Sequence, residues 1–381
     1  MKKLLLFLLL PLVGHTQNSD TLIDAGGYKL HFNIVRGAGI PILFEAGGGD
    51  DASVWTKLIK QISTITGATL ITYDRPGFGK SGLDTNQHGI LNGVKGLETA
   101  LHTLGYDRDI MLVAHSQGAF TATVYASRHA AIVKAAVLID ASTACWFNKK
   151  RVAVLQSAND REKQKFKDTR PGLYYQLEDL TKNVAVVQAL PFPTTIPLTD
   201  FISGNPPFSD STETADWRGC HAAFVSASSK RTGIVAYESG HYIFEDNRPL
   251  VVMAIVKAYA NISGAKRREE IFQRATDYSI KTINETKKDE TASRHSEDDL
   301  NGWGYKLLGQ GKIVQALEVF KLNIELNPGS WNVYDSYGET LLKNGQKQEA
   351  IKMYKKSVEL NPKSEHGKKV LAELLQGENS N

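Results

Sequence analysis

Ser116 lies in the stretch "LVAHSQGAF", Leu112 to Phe120, between an apolar run and the small residues that open a helix-like segment. A serine acts as a nucleophile only if a base takes its proton, an acid orients that base and donors meet the oxyanion. The strand-to-helix elbow that presents such a serine reads G-x-S-x-G, with small neighbours two before and two after because the backbones approach there. Ala114 and Gly118 hold those places, so alanine for the first glycine adds one methyl and keeps the geometry. Such a turn aims the Gln117 N–H at the site as one oxyanion donor. A second donor is expected at Gly48, in "FEAGGGDDASVW", where three glycines after a strand allow backbone N–H groups to face a substrate.

His241 is the strongest base among the ten histidines. It follows the final strand-like run in "AYESGHYIFEDNRP", on a glycine-containing turn before a helix. His115 adjoins the serine and is expected to point away, and His31, His88, His102, His129 and His221 lack the context of a base. His15, His295 and His366 fall in the N-terminal segment, a linker and a closing helix. Two carboxylates compete as the acid. Asp140 ends a strand in "VLIDAS" and leads; Asp210, in the loop "NPPFSD", is the alternative, and Asp200 sits mid-strand. With Asp140 the chain order is nucleophile, acid, histidine.

Other chemistries find little support. No CxxC or HExxH spacing occurs, so no metal and no cofactor is expected. Cys145 and Cys220 can pair in an oxidising compartment or remain two buried thiols. The N-terminus "MKKLLLFLLLPLVGHTQ" has two lysines, an apolar run from Leu4 to Val13 and then small and polar residues, the layout of a secretory signal over 1–17. That run is too short to span a bilayer, which takes about 20 residues. The mature chain is therefore expected outside the cytoplasm with no membrane span. Losing Lys2 and Lys3 lowers the net charge from +4 to +2, which gives no argument for nucleic-acid binding.

These residues need a scaffold, and the pattern supplies one. Six apolar runs, within Ile40–Gly49, Ala68–Gly77, Ile110–Gly118, Lys134–Ser142, Ile196–Gly204 and Gly233–His241, alternate with helix-like segments. Continuous apolar strands between helices predict an α/β, doubly wound, mostly parallel sheet, with chemistry at the carboxyl ends of its strands. This domain is expected over 18–262, with a helical cap over about 143–195. A charged connecting helix and linker over 263–298 follow, then a small all-α region over 299–378.

That last region repeats itself. Trp303, Gly304, Leu307, Gly311, Ala316, Phe320, Asn327 and Pro328 fall 34 residues before Tyr337, Gly338, Leu341, Gly345, Ala350, Tyr354, Asn361 and Pro362. A 34-residue helix–turn–helix unit of this form resembles the tetratricopeptide (TPR) repeat. "SEHGKKVLAELLQ" is expected to supply the closing helix. Such repeats bind a protein partner or serve packing and self-association.

Residues from about 21 to 260 resemble an α/β-hydrolase. "YDRPGFGKSG" is similar to that family's D-x-x-G-x-G-x-S turn, "AHSQG" to its nucleophile elbow and "SGHYIFEDNRP" to its histidine loop. Haloalkane dehalogenases and related members offer precedent for an acid at the place of Asp140. Those enzymes use an aspartate nucleophile, whereas Ser116 here would form an acyl-enzyme, which disfavours dehalogenation and epoxide opening. Glu45 and Ala46 stand where the family often has a histidine before its glycine. The expectation is an exported serine hydrolase acting on a small ester, amide or other acyl compound. The alternative is a non-catalytic scaffold whose repeats recruit a partner.

Overall fold

The computed structural model describes residues 19–208, 210–286 and 296–376; the expected signal segment lies outside the described residues. The chain divides into two compact units, Met1–Phe272 and Gln273–Asn381.

The first unit contains β1 (Ser19–Asp24), β2 (Lys29–Val35), β3 (Ile42–Glu45), α1 (Thr56–Thr66), β4 (Leu70–Tyr73), α2 (Ile90–Leu104), β5 (Ile110–His115), α3 (Gly118–Arg128) and β6 (Val133–Ile139). Three helices follow β6: α4 (Lys149–Glu162), α5 (Pro171–Glu178) and α6 (Leu180–Ala189). Then come β7 (Leu198–Ser203), α7 (Ser211–Ser226), β8 (Arg231–Ala236), α8 (Ile243–Asp246), α9 (Arg248–Ile262) and α10 (Ala265–Thr286), within which the division into units falls.

The strands form one sheet in the order β1-β2-β4-β3-β5-β6-β7-β8. β3 to β8 run parallel, while β1 and β2 pair antiparallel with each other and β2 with β4. Every residue of β3, β4 and β5 is buried, as expected of parallel strands covered on both faces. The β1–β2 hairpin was not anticipated. β1 alternates half-buried and exposed positions at the sheet edge, and β2 carries His31 and Asn33, so neither reads as a continuous apolar run. β3 and β5 lie side by side in register, with Glu45 beside Ala114, which brings the triple-glycine loop to the elbow. Beneath that junction Trp55 packs on Phe44 and Phe244, with ring centroids 5.4 Å and 4.8 Å away.

The second unit is all-helical among the described residues. It contains α11 (Glu297–Gly309), α12 (Ile313–Leu326), α13 (Trp331–Lys343), α14 (Lys347–Leu360) and α15 (Glu365–Gln376). Gly304 lies against Phe320 and Gly338 against Tyr354, where an added Cβ would come within 2.6 Å and 3.0 Å of the ring. The 34-residue sequence period is thus matched by a recurring contact of a small residue on an aromatic ring. Leu300, Leu307, Ala316, Val319 and Leu322 complete a core around Phe320.

Candidate active site

β5 ends at His115 and α3 begins at Gly118, leaving Ser116 at the turn with φ +49°. A non-glycine residue in this left-handed region costs of order 1–3 kcal/mol and persists only where its surroundings hold it. Here Ser116 N–H donates to the Ile139 carbonyl (3.0 Å), and the Ser116 carbonyl accepts from Ser142 N–H (3.0 Å) and Ala119 N–H (3.1 Å). Gly118 is required by a close approach: a Cβ there would lie 2.3 Å from the Ala46 carbonyl oxygen. Ala114 is fully buried, and its methyl is accommodated in the core.

The structure brings Ser116, His241 and Asp140 together. Ser116 Oγ lies 2.9 Å from His241 Nε2, and His241 Nδ1 lies 2.6 Å from Asp140 Oδ2. Asp140 occupies the turn after β6, also at positive φ (+44°), and is fully buried. Its carboxylate accepts from Ser203 N–H and Ser203 Oγ (both 2.9 Å) and from Trp217 Nε1 (3.2 Å). Burial alone would raise its proton affinity. The hydrogen bonds from His241 and Ser203 outweigh that and hold the carboxyl below the usual carboxylate range. Asp210 instead caps α7, where its side chain accepts from Thr212 N–H at 2.7 Å. Asp200 is buried in β7 and pairs with His221 Nδ1 at 2.6 Å.

Gly48 and Gln117, the two expected oxyanion donors, are neighbours. A Cβ on Gly48 would lie 2.7 Å from Gln117 Oε1 and 3.0 Å from Gln176 Nε2, so the loop backbone passes directly beside the residue after the serine. Three contacts brace that loop. Arg75 donates to the Gly47 carbonyl, Arg170 donates to the Gly49 carbonyl, and Asp50 N–H donates to the Gly47 carbonyl at 3.2 Å. Arg75 is buried, which lowers its proton affinity. Behind it, the buried Glu45 carboxyl accepts from Tyr73 OH at 2.7 Å. Burial pushes Glu45 up to about 7, against the opposing pull of the Tyr73 hydrogen bond and the Arg75 charge.

Sequence reasoning missed these supports. Arg75 stood in the quoted "YDRPGFGKSG", but nothing in the motif says which carbonyl its guanidinium holds. His115 was another. Its ring turns beneath the histidine loop, and Nε2–H donates to the His241 carbonyl at 3.0 Å. The ring centroid lies 4.7 Å from that of His241. Burial, aided by the His241 charge, pushes its pKa down to about 3, so His115 is a neutral prop at ordinary pH. All five histidines dismissed on context also meet carboxylates: His31 with Asp74, His88 with Asp179, His102 with Asp107, His129 with Glu98 and His221 with Asp200. Among the described residues no group of three or more His, Cys, Asp or Glu side chains is placed to hold a metal ion. None of the described helices is long and apolar enough to cross a membrane.

Cys145 and Cys220 form a disulfide that ties the segment after β6 to α7. The same helix carries Trp217, which donates to Asp140 and packs edge-on against Trp146 at 5.4 Å. The bridge therefore braces the wall behind the acid.

Residues 40–183 match the family model described as alpha/beta hydrolase fold. The fold is that of an α/β-hydrolase. The uncharacterized protein YqjL of Bacillus subtilis (strain 168) is 26% identical over 230 residues, covering 60% of this chain and 87% of YqjL. Among solved structures, the haloalkane dehalogenase DatA from Agrobacterium tumefaciens C58 superposes with a TM-score of 0.50 at 13% identity, over 65% of this chain and 97% of that one. MGS-M2, an alpha/beta hydrolase enzyme from a Medee basin deep-sea metagenome library, gives a TM-score of 0.50 at 13% identity, over 62% and 96%. Likeness at this identity speaks to the hydrolase fold, and the reaction has to be argued from the site.

Proposed function

We propose that this protein is an exported serine hydrolase that cleaves an ester, amide or related acyl compound through an acyl-enzyme. The observation that carries the reading is the continuous hydrogen-bonded chain from Ser116 Oγ to His241 (2.9 Å) and on to Asp140 (2.6 Å), with the serine held at an elbow. In this reading Ser116 attacks the carbonyl carbon while His241 Nε2 takes its proton. Asp140 holds the imidazole by Nδ1 and stabilises the positive charge that forms there. The Gly48 and Gln117 N–H groups meet the oxyanion, and His241 returns the proton to the leaving group. Water then cleaves the acyl-enzyme along the reverse proton path. Ser116→Ala is expected to abolish hydrolysis of p-nitrophenyl acetate with the thermal unfolding curve unchanged. Full retained activity in that variant would sink the assignment.

A serine nucleophile separates this reading from the dehalogenase chemistry named for its structural neighbour DatA. A non-catalytic scaffold is the competing reading. It gives no reason for a strained serine to face a histidine–carboxylate pair, and labelling of Ser116 by a fluorophosphonate probe separates the two. The C-terminal unit we read as TPR-like, supported by the glycine-on-aromatic contact that recurs with the 34-residue period. Its role is protein partnering or self-association, and size-exclusion of a chain truncated near Glu297 distinguishes them. Export is supported by the disulfide, which belongs to an oxidising compartment. Fractionation, with the mass of the mature chain, tests it.

A further inference from the structure

A cavity of about 80 Å³ lies beside Gln117, between the first turn of α3 and the helix α5 that follows β6. Phe78, Phe120 and Tyr175 contribute to its walls, and the polar groups among them are not idle. Gln176 lines the cavity and its Oε1 is buried without a hydrogen-bond partner. Arg75 also lines it; the guanidinium holds the Gly47 carbonyl, but its Nε is buried without a partner. His88 completes the set. Asp179, itself buried, takes its Nδ1, and the ring packs on Tyr175 at 4.2 Å, leaving Nε2 to meet a ligand.

We propose that this cavity is the acyl subsite and that it selects a short acyl group bearing a hydroxyl. The proposal rests on the acyl-enzyme reading of Ser116 and adds the substrate class to it. The polar inventory decides the substituent. Gln176 Oε1 is an acceptor and needs a donor; Arg75 Nε–H is a donor and needs an acceptor. A hydroxyl is both: it gives its one proton to Gln176 Oε1, and its lone pairs accept from Arg75 Nε–H and from a proton on His88 Nε2. A methyl supplies neither partner and leaves each buried group unpaired. A carboxylate cannot donate to Gln176, and an ammonium cannot accept from Arg75. The volume limits the group further, since a cavity of roughly 150 Å³ takes up benzene and this one is near half that size. Sites built to hydrogen-bond a substrate hydroxyl reject the analogue that lacks it far more strongly than apolar pockets reject a changed methylene.

The test pairs each hydroxy ester with its methyl-for-hydroxyl isostere, using the full-length protein and following proton release. The pairs are methyl glycolate with methyl propanoate, methyl 3-hydroxypropanoate with methyl butanoate, and methyl 4-hydroxybutanoate with methyl pentanoate. At least one hydroxy ester is expected to show a kcat/KM about tenfold or more above its isostere. The monomethyl ester of succinic acid and the methyl ester of β-alanine are expected to be poorer than that hydroxy ester. His88→Leu and Gln176→Leu, each checked for an unchanged unfolding curve, should bring the ratio to within about twofold of unity. Alkyl or charged esters turned over as well as their hydroxy partners, or a ratio that survives in both variants, overturns the subsite while leaving the serine hydrolase intact. Failure of every ester together with failure of the fluorophosphonate to label Ser116 overturns both.

Discussion

Two histidine–aspartate pairs lie close together in the hydrolase-fold unit, and they have opposite fates. His241–Asp140 and His221–Asp200 have the same Nδ1–Oδ2 separation, 2.6 Å, and their carboxylates come from the neighbouring strands β6 and β7. The first histidine is 24% exposed and its far nitrogen meets Ser116. The second is completely buried and its Nε2 has no partner. Asp140 is pulled below the usual carboxylate range by donors from His241 and Ser203. Asp200 is pushed up by burial, which its single histidine contact fails to offset. Trp217 touches both pairs, donating to Asp140 and lying 4.7 Å from the His221 ring. A histidine held by a carboxylate is therefore no sign of chemistry by itself. Access to the far nitrogen, and enough donors to keep the acid charged, distinguish the pair we read as catalytic from the one that braces it.

The comparison is broken most directly by exchanging the two acids for their amides. Asp140→Asn is expected to lower kcat about 10⁴-fold on any ester the wild type accepts, because the imidazole is then held in the wrong tautomer. Asp200→Asn should leave kcat within about tenfold, since its histidine touches no reacting atom. Equal losses in the two variants would erase the distinction. In thermal unfolding the order reverses. Removing one partner of the sealed pair, as in His221→Ala, should cost about 3–5 kcal/mol, because an uncompensated buried carboxyl remains.

A smaller effect follows from the bridge that braces Trp217. Cys145→Ser with Cys220→Ser releases a tie between positions 75 residues apart. Disulfides of this kind contribute typically 2–4 kcal/mol, so the melting temperature should fall by several degrees while kcat on a small ester changes little. Unchanged melting in the double variant, or under reductant, would mean that packing of Trp146 on Trp217 suffices without the covalent link.

How much of this could be read from the residues alone depends on the range of the contact involved. The central strands were legible because β3, β4 and β5 are buried on both faces and so read as unbroken apolar runs. The elbow was legible because its small residues fall at a fixed spacing around Ser116, even though the crowding at Gly118 comes from the distant Ala46 carbonyl. The choice between Asp140 and Asp210 was open, because it depends on where Ser203 and Trp217, 63 and 77 residues further on, deliver their donors. Whether Cys145 met Cys220 was open for the same reason. The pairing of His88 with Asp179 spans 91 residues and leaves no trace at either position. Glu45 was noticed only as a departure from a familiar motif. Its role as a buried acid behind the oxyanion loop comes from Tyr73 and Arg75, which another strand and its following turn deliver.

That buried acid yields the mildest expected effect, one that sets Glu45 against His115 on the two sides of the elbow. Glu45 has an ordinary value of 4.5 and is pushed up to about 7, so the folded protein holds this proton more tightly than the unfolded chain. Its contribution is complete below about 4.5 and is lost as pH rises from there to about 7. His115 moves the other way, from 6.5 down to about 3, so folding sheds its proton and stability is lost as pH falls below 6.5. Between about 4.5 and 6.5 the two slopes oppose and cancel, so together they give a plateau there, with stability falling below it through His115 and above it through Glu45. Glu45→Gln removes the first slope and keeps a hydrogen-bonding side chain beside Tyr73. Its melting temperature relative to wild type should rise between pH 5 and pH 8, by about 2–4 °C for each kcal/mol regained. Parallel melting curves across that range would mean that Arg75 neutralises Glu45 in the folded state at every pH, and that the carboxyl is an ordinary ion-pair partner of the loop-holding guanidinium.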